Sequence, residues 1–432
     1  MLDPADQIAA VLVMAGLFSY VNHRWLHLSD SIGLFLIAFA SALSLVVLNR
    51  FAPGLGIGDW IDRSMTRLDF ARTLLDLLLG MLLFGGVLHL NVRSMQIHWR
   101  AIALLVVIGV PLSIVLIALA LQGVLYFFVS DPPFVWLLVF AALITPTDPV
   151  AVLEVLKRMR LPSDFTAVLA GESLFNDGLG IVAFTSLLGV AIGSSGELGA
   201  LDLATDVLWE SGGAIVLGIG IGWVAQRMSR SSDDESLLVL ISLASIFAIT
   251  RTAAHLHMSG PIAVVVFGLF VTAQVNDREL HRRATARFRA FWRINDSILN
   301  TILFLLVGFT VTELGHIEPN GGWGTTIVFT LATVAAVVGV RFTVVWSLLQ
   351  VLPILGERVR PGMVALLSWG GLRGGIPIAL ALMIPASGYD DALLLMAISV
   401  VAFSIVVQGL TIAPVAQRVI GPEPVEEAGA EG

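Results

Sequence analysis

Hydrophobic positions in this 432-residue chain are grouped in apolar runs close to 20 residues long, separated by short polar segments. A helix of about 20 residues spans the bilayer core, because each residue adds about 1.5 Å and the core is about 30 Å thick. The pattern predicts an all-α polytopic membrane protein with about thirteen transmembrane helices. The predicted spans are 6–23, 31–49, 72–90, 101–128, 133–156, 165–193, 207–228, 236–256, 260–275, 291–312, 325–351, 361–386 and 391–416.

Composition and charge exclude several classes of function. The chain is 57% hydrophobic and 13% charged, whereas soluble domains are usually about 25% charged. A net charge of -8 and no basic surface argue against a nucleic-acid partner, and membrane lipid is the expected surrounding. The chain has no cysteine, which excludes disulfides and thiolate metal sites. We expect no cofactor.

The distribution of basic residues predicts the orientation. Most of the 24 lysines and arginines lie in or beside the odd-numbered loops and the C-terminus. The positive-inside rule then places the N-terminus outside and the C-terminus in the cytoplasm of a multi-pass protein of the plasma (inner) membrane. Residues 1–416 are predicted to form one transporter domain, and the acidic segment 417–432 is predicted to be a disordered cytoplasmic tail.

Two predicted spans are interrupted by residues that destabilise helices. Span 5 contains Thr147, Asp148 and Pro149, and span 12 contains the sequence SWGGLRGGIPIAL. The positions expected to unwind span 12 are Gly370, Gly371, Gly374, Gly375 and Pro377. Unwound backbone at membrane depth needs protein partners or a solvated cavity, so these segments indicate a functional site.

The two interruptions predict an inverted repeat. Residues 6–193 and 236–416 would each contain six spans, and the span at 207–228 would link them. An even number of spans in the first half and a single linking span give the second half the opposite orientation. Interrupted helices at matching positions of inverted halves are the sequence pattern of a transporter binding site.

Span 6 supplies the polar side chains for such a site. Ser173 and Asp177 are four residues apart and share a helical face, with Asn176 beside them. A dehydrated cation needs several oxygen ligands. The predicted cation and proton site consists of Asp177, Asp148, Ser173, Thr147 and Asn176.

Asp177 is the predicted shared carrier. A proton and a metal ion compete for one buried carboxylate, and that competition couples their opposing fluxes. The alternative is a packing acid that bonds to a neighbouring helix. For Asn176, a structural role and direct ligation are equally compatible with the sequence.

Glu172 is predicted to belong to a structural ion-pair network with Arg373 and Arg341, because charges at membrane depth are normally paired. The sequence does not decide which arginine is its partner. We favour Arg373, in the interrupted span 12.

Several motifs resemble those of the monovalent cation:proton antiporters, and most closely the bacterial and animal sodium/proton exchangers. They extend over most of the chain. The motifs are TDPV at 147–150, GESLFNDG at 171–178, SGPIAVVVFGL at 259–269, LNTILFLLVG at 299–308 and WGGLRGGIPIAL at 369–380.

The resemblance implies a homodimer in which a core domain moves against a dimerisation domain. It also implies that Asp148 and Asp177 lie where unwound spans 5 and 12 cross, with Thr147 and Ser173 helping to hold the ion. The Asn176–Asp177 pair implies electroneutral exchange of one cation for one proton. The sequence departs from the family at Gly85, where relatives often carry a glutamate, and this leaves the ligand set and the sodium preference open.

The predicted function is a secondary antiporter that exchanges a monovalent cation, Na⁺ or also Li⁺, for H⁺ by alternating access, and not an enzyme. A K⁺/H⁺ antiporter is the alternative, because the same ligands serve both cations. A more remote alternative is an ion-coupled anion symporter on a related fold, for which Arg373 is the one deep candidate in a broken helix. An intramembrane aspartyl hydrolase lacks a suitable partner motif, and a channel would not need a carboxylate that is emptied in every cycle.

Overall fold

All regular secondary structure in the residues that the computed structural model describes is helical. These are residues 4–51, 69–88, 90, 92–126, 132–148, 152–153, 163–193, 200–230, 234–277, 282–315, 323–357 and 359–420. They contain α-, π- and 3-10-helices and no strand. The predicted all-α class is therefore confirmed.

Seventeen α-helices follow one another along the described part of the chain. The first eight are α1 (Pro4–Val21), α2 (Asp30–Phe51), α3 (Asp69–Leu88), α4 (Val92–Ile97), α5 (Trp99–Ala103), α6 (Gly109–Tyr126), α7 (Phe134–Ile144) and α8 (Ser163–Ala191). The remainder are α9 (Ala200–Ser229), α10 (Glu235–His255), α11 (Gly260–Asp277), α12 (Arg282–Phe309), α13 (Trp323–Leu349), α14 (Met363–Trp369), α15 (Ile376–Ala381), α16 (Asp390–Phe403) and α17 (Gly409–Ile420). π-Helical turns at Leu104–Ile108 and Ser404–Gln408 join α5 to α6 and α16 to α17.

Length and composition identify a multi-pass membrane protein. Within the described residues, 8 helices are long and apolar enough to cross a bilayer, and three shorter apolar helices accompany them. Large apolar side chains on α9 face outward, including Leu208 and Val216, which are each 71% exposed. Such a surface suits lipid. The count of thirteen spans and the inverted repeat stay predictions.

Both predicted interruptions are present. Helix α7 ends at Ile144, and residues 145–148 are not helical. Helix α14 ends at Trp369, and α15 begins at Ile376. Pro149 lies outside the described residues.

Two predicted positions differ from the structure. Pro377 was expected to be unwound, but it lies in the first turn of α15. Proline is favoured there because the first N–H groups of a helix have no intrahelical acceptor. The predicted tail also starts too early, since α17 continues to Ile420. The rest of the tail lies outside the described residues.

The helices pack as two groups. Helices α4 to α8 and α13 to α17 contact one another and form what we call the crossing group, while α1 to α3 and α9 to α12 form the second group. Helix α8 contacts both groups, because it also packs against α9 and α11. Helix α7 is apolar on every side and is buried from Trp136 to Ile144 except for Leu138, as expected for a helix without a polar face.

Candidate ion-binding site

The two interrupted segments cross and are joined through the backbone. The Asp148 N–H donates to the Leu372 carbonyl at 2.7 Å. A Cβ atom on Gly374 would lie 2.8 Å from the Cβ of Asp148, so the close approach requires glycine at this position. The Arg373 N–H donates to the Ser404 hydroxyl at 2.8 Å, which attaches the second segment to the turn after α16.

Arg373 satisfies the carbonyl groups that the end of α7 releases. Its Nη1 donates to the Thr145 carbonyl and, at 3.1 Å, to the Pro146 carbonyl. The last carbonyls of any helix lack intrahelical donors and carry the negative end of the helix dipole. A guanidinium group at this point therefore donates the hydrogen bonds that the free carbonyls lack, and its positive charge offsets the negative end of the helix dipole.

Asp177, Thr147 and Ser173 form the polar centre beside the crossing. The Thr147 N–H donates to Asp177 Oδ1 at 3.0 Å, and the Thr147 hydroxyl donates to Ser173 Oγ at 2.9 Å. All three residues are at most 4% exposed. Ser173 and Asp177 reach the same segment because they lie one turn apart on α8. The oxygen atoms of the centre are potential ligands for a small cation.

Asn176 connects this centre to Glu172. Its Nδ2 donates to the Thr145 carbonyl at 2.9 Å, to Thr147 Oγ1 at 3.2 Å and to Glu172 Oε1 at 3.3 Å. These acceptors fix the orientation of the amide. Its Oδ1 is buried and accepts no hydrogen bond from the part of the chain that the structure describes, so this oxygen has acceptor capacity to spare.

The partner of Glu172 is Arg341, so the pairing we favoured from the sequence is wrong. Arg341 Nη1 and Nη2 each lie 2.8 Å from a Glu172 carboxylate oxygen, in a bidentate pair. Nη2 also donates to the Leu367 carbonyl at 3.2 Å. Arg373 is instead turned toward the carbonyls of α7. A sequence shows which charges are deep, but it does not show which of two guanidinium groups the released backbone will recruit.

Among the described residues, the formal charge at the crossing sums to one negative unit. The charged groups that act on Asp177 are Asp148, Glu172 and Arg373, and Arg341 is bound to Glu172. Arginine stays protonated in proteins. Three carboxylates and two guanidinium groups therefore leave room for one positive charge.

The predicted ligand residues come together, with one difference in exposure. Thr147, Ser173, Asn176 and Asp177 are buried, whereas Asp148 is half-buried. Three partners at the crossing were not predicted from the sequence: the backbone carbonyls of Leu372 and Thr145, and the hydroxyl of Ser404. A serine within the apolar run of span 13 was a weak sequence signal for Ser404. Backbone carbonyl groups leave no sequence signal, because every residue has one.

Discontinuous helices that cross at a buried carboxylate define a class of membrane transporter. Comparisons with known proteins agree with this class. The family model described as sodium/hydrogen exchanger, transmembrane, matches residues 9–418. The chain therefore belongs to the sodium/hydrogen exchanger family, whose members are transporters and not enzymes.

Individual relatives cover nearly the whole chain. The Na⁺/H⁺ antiporter NhaP of Pseudomonas aeruginosa is 33% identical over 432 residues, which covers 98% of this chain and 99% of the relative. The Na⁺/H⁺ antiporter NhaH of Halobacillus dabanensis is 31% identical and covers 87% of this chain and 91% of its own. The fold resembles the sodium proton antiporter MjNhaP1 from Methanocaldococcus jannaschii, with a TM-score of 0.71, 17% identity, and coverage of 96% of this chain and 98% of that chain.

Breaking the Glu172–Arg341 pair should destabilise the fold. Glu172→Gln leaves the Arg341 guanidinium buried without its partner, at a cost of about 3–5 kcal/mol. We expect a lower unfolding temperature in detergent, measured by intrinsic fluorescence, and a smaller loss in the double variant Glu172→Gln/Arg341→Gln. The matched control is Arg287→Gln, in the exposed pair with Glu235 at 2.9 Å, where about 0–1 kcal/mol is expected. Equal effects at the two pairs would contradict the structural role.

Adding one methyl group at the crossing should also destabilise the protein. In Gly374→Ala the new Cβ meets Asp148 at 2.8 Å, and the resulting strain should cost about 1–3 kcal/mol. The control is Gly339→Ala within α13, where nothing lies within 4 Å of the added atom. Thermal unfolding of the two purified variants checks this, and an unchanged Gly374→Ala protein would mean that the segments do not approach closely.

Proposed function

We propose that this protein is a secondary antiporter that exchanges one Na⁺, or one Li⁺, for one H⁺ by alternating access. The support is membership in the sodium/hydrogen exchanger family over residues 9–418, together with the similarity to NhaP and NhaH, which are both named Na⁺/H⁺ antiporters. We further propose that the protein works in the plasma (inner) membrane, with the N-terminus outside and cytoplasmic Na⁺ leaving as H⁺ enters.

The charge at the crossing is the observation that carries this proposal. Three carboxylates face two guanidinium groups, so one further positive charge neutralises the site. A proton on Asp177 supplies that charge, and a bound monovalent cation supplies it equally well. Because either the proton or the cation neutralises the site, the two compete for it. Each transport cycle therefore moves one cation against one proton.

The proposed ligand set consists of oxygen atoms from two elements. Helix α8 supplies Asp177, Ser173 and the Asn176 Oδ1, which accepts no hydrogen bond from the described residues, and the interrupted segment after α7 supplies Thr147 and Asp148. Hard cations prefer carboxylate, hydroxyl and amide oxygens. Arg373 is not part of this ligand set. It donates to the Pro146 carbonyl and so fixes the segment that presents Thr147.

The grouping of helices supports alternating access. Every residue of the proposed site lies in the crossing group, and α8 contacts α9 and α11 of the second group. We propose that the crossing group moves against the second group and exposes the site to each side in turn. We also propose a homodimer, the assembly that the motifs imply.

Reconstituted vesicles test the exchange directly. Purified protein is placed in proteoliposomes that contain a pH-sensitive dye, and Na⁺, Li⁺, K⁺ or choline is added outside. We expect internal acidity to change on addition of Na⁺ and Li⁺ and not of choline. Cation uptake without linked proton movement would contradict the proposal, and a response to K⁺ alone would assign potassium as the substrate.

Asp177→Asn should abolish exchange, because the amide neither ionises nor carries a proton between sides. The same vesicles and dye measure the rate, and size-exclusion chromatography establishes that the variant stays folded. Thr185→Val is the matched control, since this α8 hydroxyl donates to the Ile181 and Val182 carbonyls of its own helix. Exchange that survives in the Asp177→Asn variant would remove Asp177 from its proposed role.

The rate should not depend on membrane potential. Exchange of one positive charge for one positive charge moves no net charge, whereas a net charge would be driven by about 2.3 kcal/mol per 100 mV. Potassium gradients with valinomycin set the potential in the proteoliposomes. Equal initial rates at positive and negative potentials are expected, and a several-fold difference would exclude one-for-one stoichiometry.

A further inference from the structure

One buried acid in the second group has no part in the crossing. Asp296 lies on α12, is 8% exposed, and belongs to the candidate membrane span Ala286–Thr312, in which Arg287, Arg289 and Arg293 precede it. A buried acid within a membrane span is costly, and such residues usually serve function.

The space for Asp296 is provided by Gly85. A Cβ atom on Gly85 of α3 would lie 3.2 Å from Asp296 Cβ and 3.4 Å from its Oδ1. The carboxylate thus occupies the volume where a side chain at position 85 would begin. Asn300, one turn further along α12, donates from Nδ2 to Asp296 Oδ1 at 3.1 Å, and this bond orients the acid.

The same face of α12 leads to the crossing. Asp296, Asn300, Leu303 and Val307 follow the spacing of one helical face. The side chains of Leu303 and Val307 lie over Gly375 in the interrupted segment, where an added Cβ would meet them at 2.5 Å and 2.9 Å. Asp296 precedes Leu303 by seven residues, or about 10 Å along the axis.

We propose that Asp296 is a positioning residue for the exchange reaction: it raises the apparent affinity for the monovalent cation by holding a negative charge on the helix face that leads to the crossing. This proposal rests on the proposed Na⁺/H⁺ exchange. The carboxylate lies between α3 and α12 and acts through its electric field, which concentrates cations near the site. It is not a ligand at the crossing.

Removing the charge of Asp296 should change the KM for Na⁺ more than the maximal rate of exchange. Asp296→Asn keeps the shape and removes the charge, and we expect KM for Na⁺ to rise several-fold, because the attraction between the carboxylate and the cation is lost. Asp296→Glu restores the charge and should restore most of the affinity. Initial rates in dye-loaded proteoliposomes over a range of Na⁺ concentrations give both constants, and unfolding temperatures are measured in parallel.

A pair of relocated variants isolates the charge. Gly85→Asp/Asp296→Ala moves the carboxylate across to α3 into the same space, and Gly85→Asn/Asp296→Ala is its neutral twin. We expect KM of the acidic variant to return toward that of the unaltered protein and KM of the neutral twin to stay raised. This pair decides the question even where Asp296→Asn does not fold, because the two variants differ in charge alone.

Specific outcomes would overturn the proposal. They are an unchanged KM in Asp296→Asn, an equal KM in the two relocated variants, or a fall in unfolding temperature with no change in KM. If the unaltered protein exchanges Na⁺ for H⁺ and these results follow, the role of Asp296 fails and the proposed function stands. If the unaltered protein does not exchange Na⁺, the proposed function itself fails.

Discussion

The structure of this exchanger-family protein depends on how it satisfies the backbone groups released where two helices unwind at membrane depth. Hydrocarbon offers no hydrogen bonds, so each exposed N–H or carbonyl must be paired within the protein. Here the Thr145 and Pro146 carbonyls are taken by Arg373, and the Asp148 N–H by the Leu372 carbonyl. Each interrupted segment therefore supplies the partner that the other requires, and neither could unwind alone at this depth.

The same bonds set the electrostatics of the site. Arg373 is held by the carbonyl groups of Thr145 and Pro146. Glu172 is neutralised by Arg341 from another helix. Among the described residues, Asp148 and Asp177 then add two negative charges and Arg373 one positive charge, which leaves one negative charge uncompensated. The placement of Arg373 thus has two effects. It satisfies the backbone of the broken helix, and it leaves the site with room for one monovalent cation.

Sequence patterns predicted the helical class, both interruptions and the residues that meet there, because each leaves a local signal. A threonine, an aspartate or a glycine cluster inside an apolar run is visible without knowing its neighbours. The partner of Glu172 was not predictable, since Arg341 and Arg373 are equally deep and the choice depends on carbonyl groups that every residue possesses. Pro377 was misplaced for a related reason, because a proline breaks a helix when it lies in the interior and favours one when it lies in the first turn.

Position 85 shows how the space between two helices can be filled from either helix. The resemblance to the exchangers implies that relatives often carry a glutamate here, and this chain has Gly85. In three dimensions the missing side chain leaves a volume next to α12, and the Asp296 carboxylate lies against it. The charge at a membrane site depends on the space between helices, so an acid on either facing helix can supply it. A sequence motif records the residues of one helix only. A motif that lacks an acid therefore does not by itself show that the site lacks the charge.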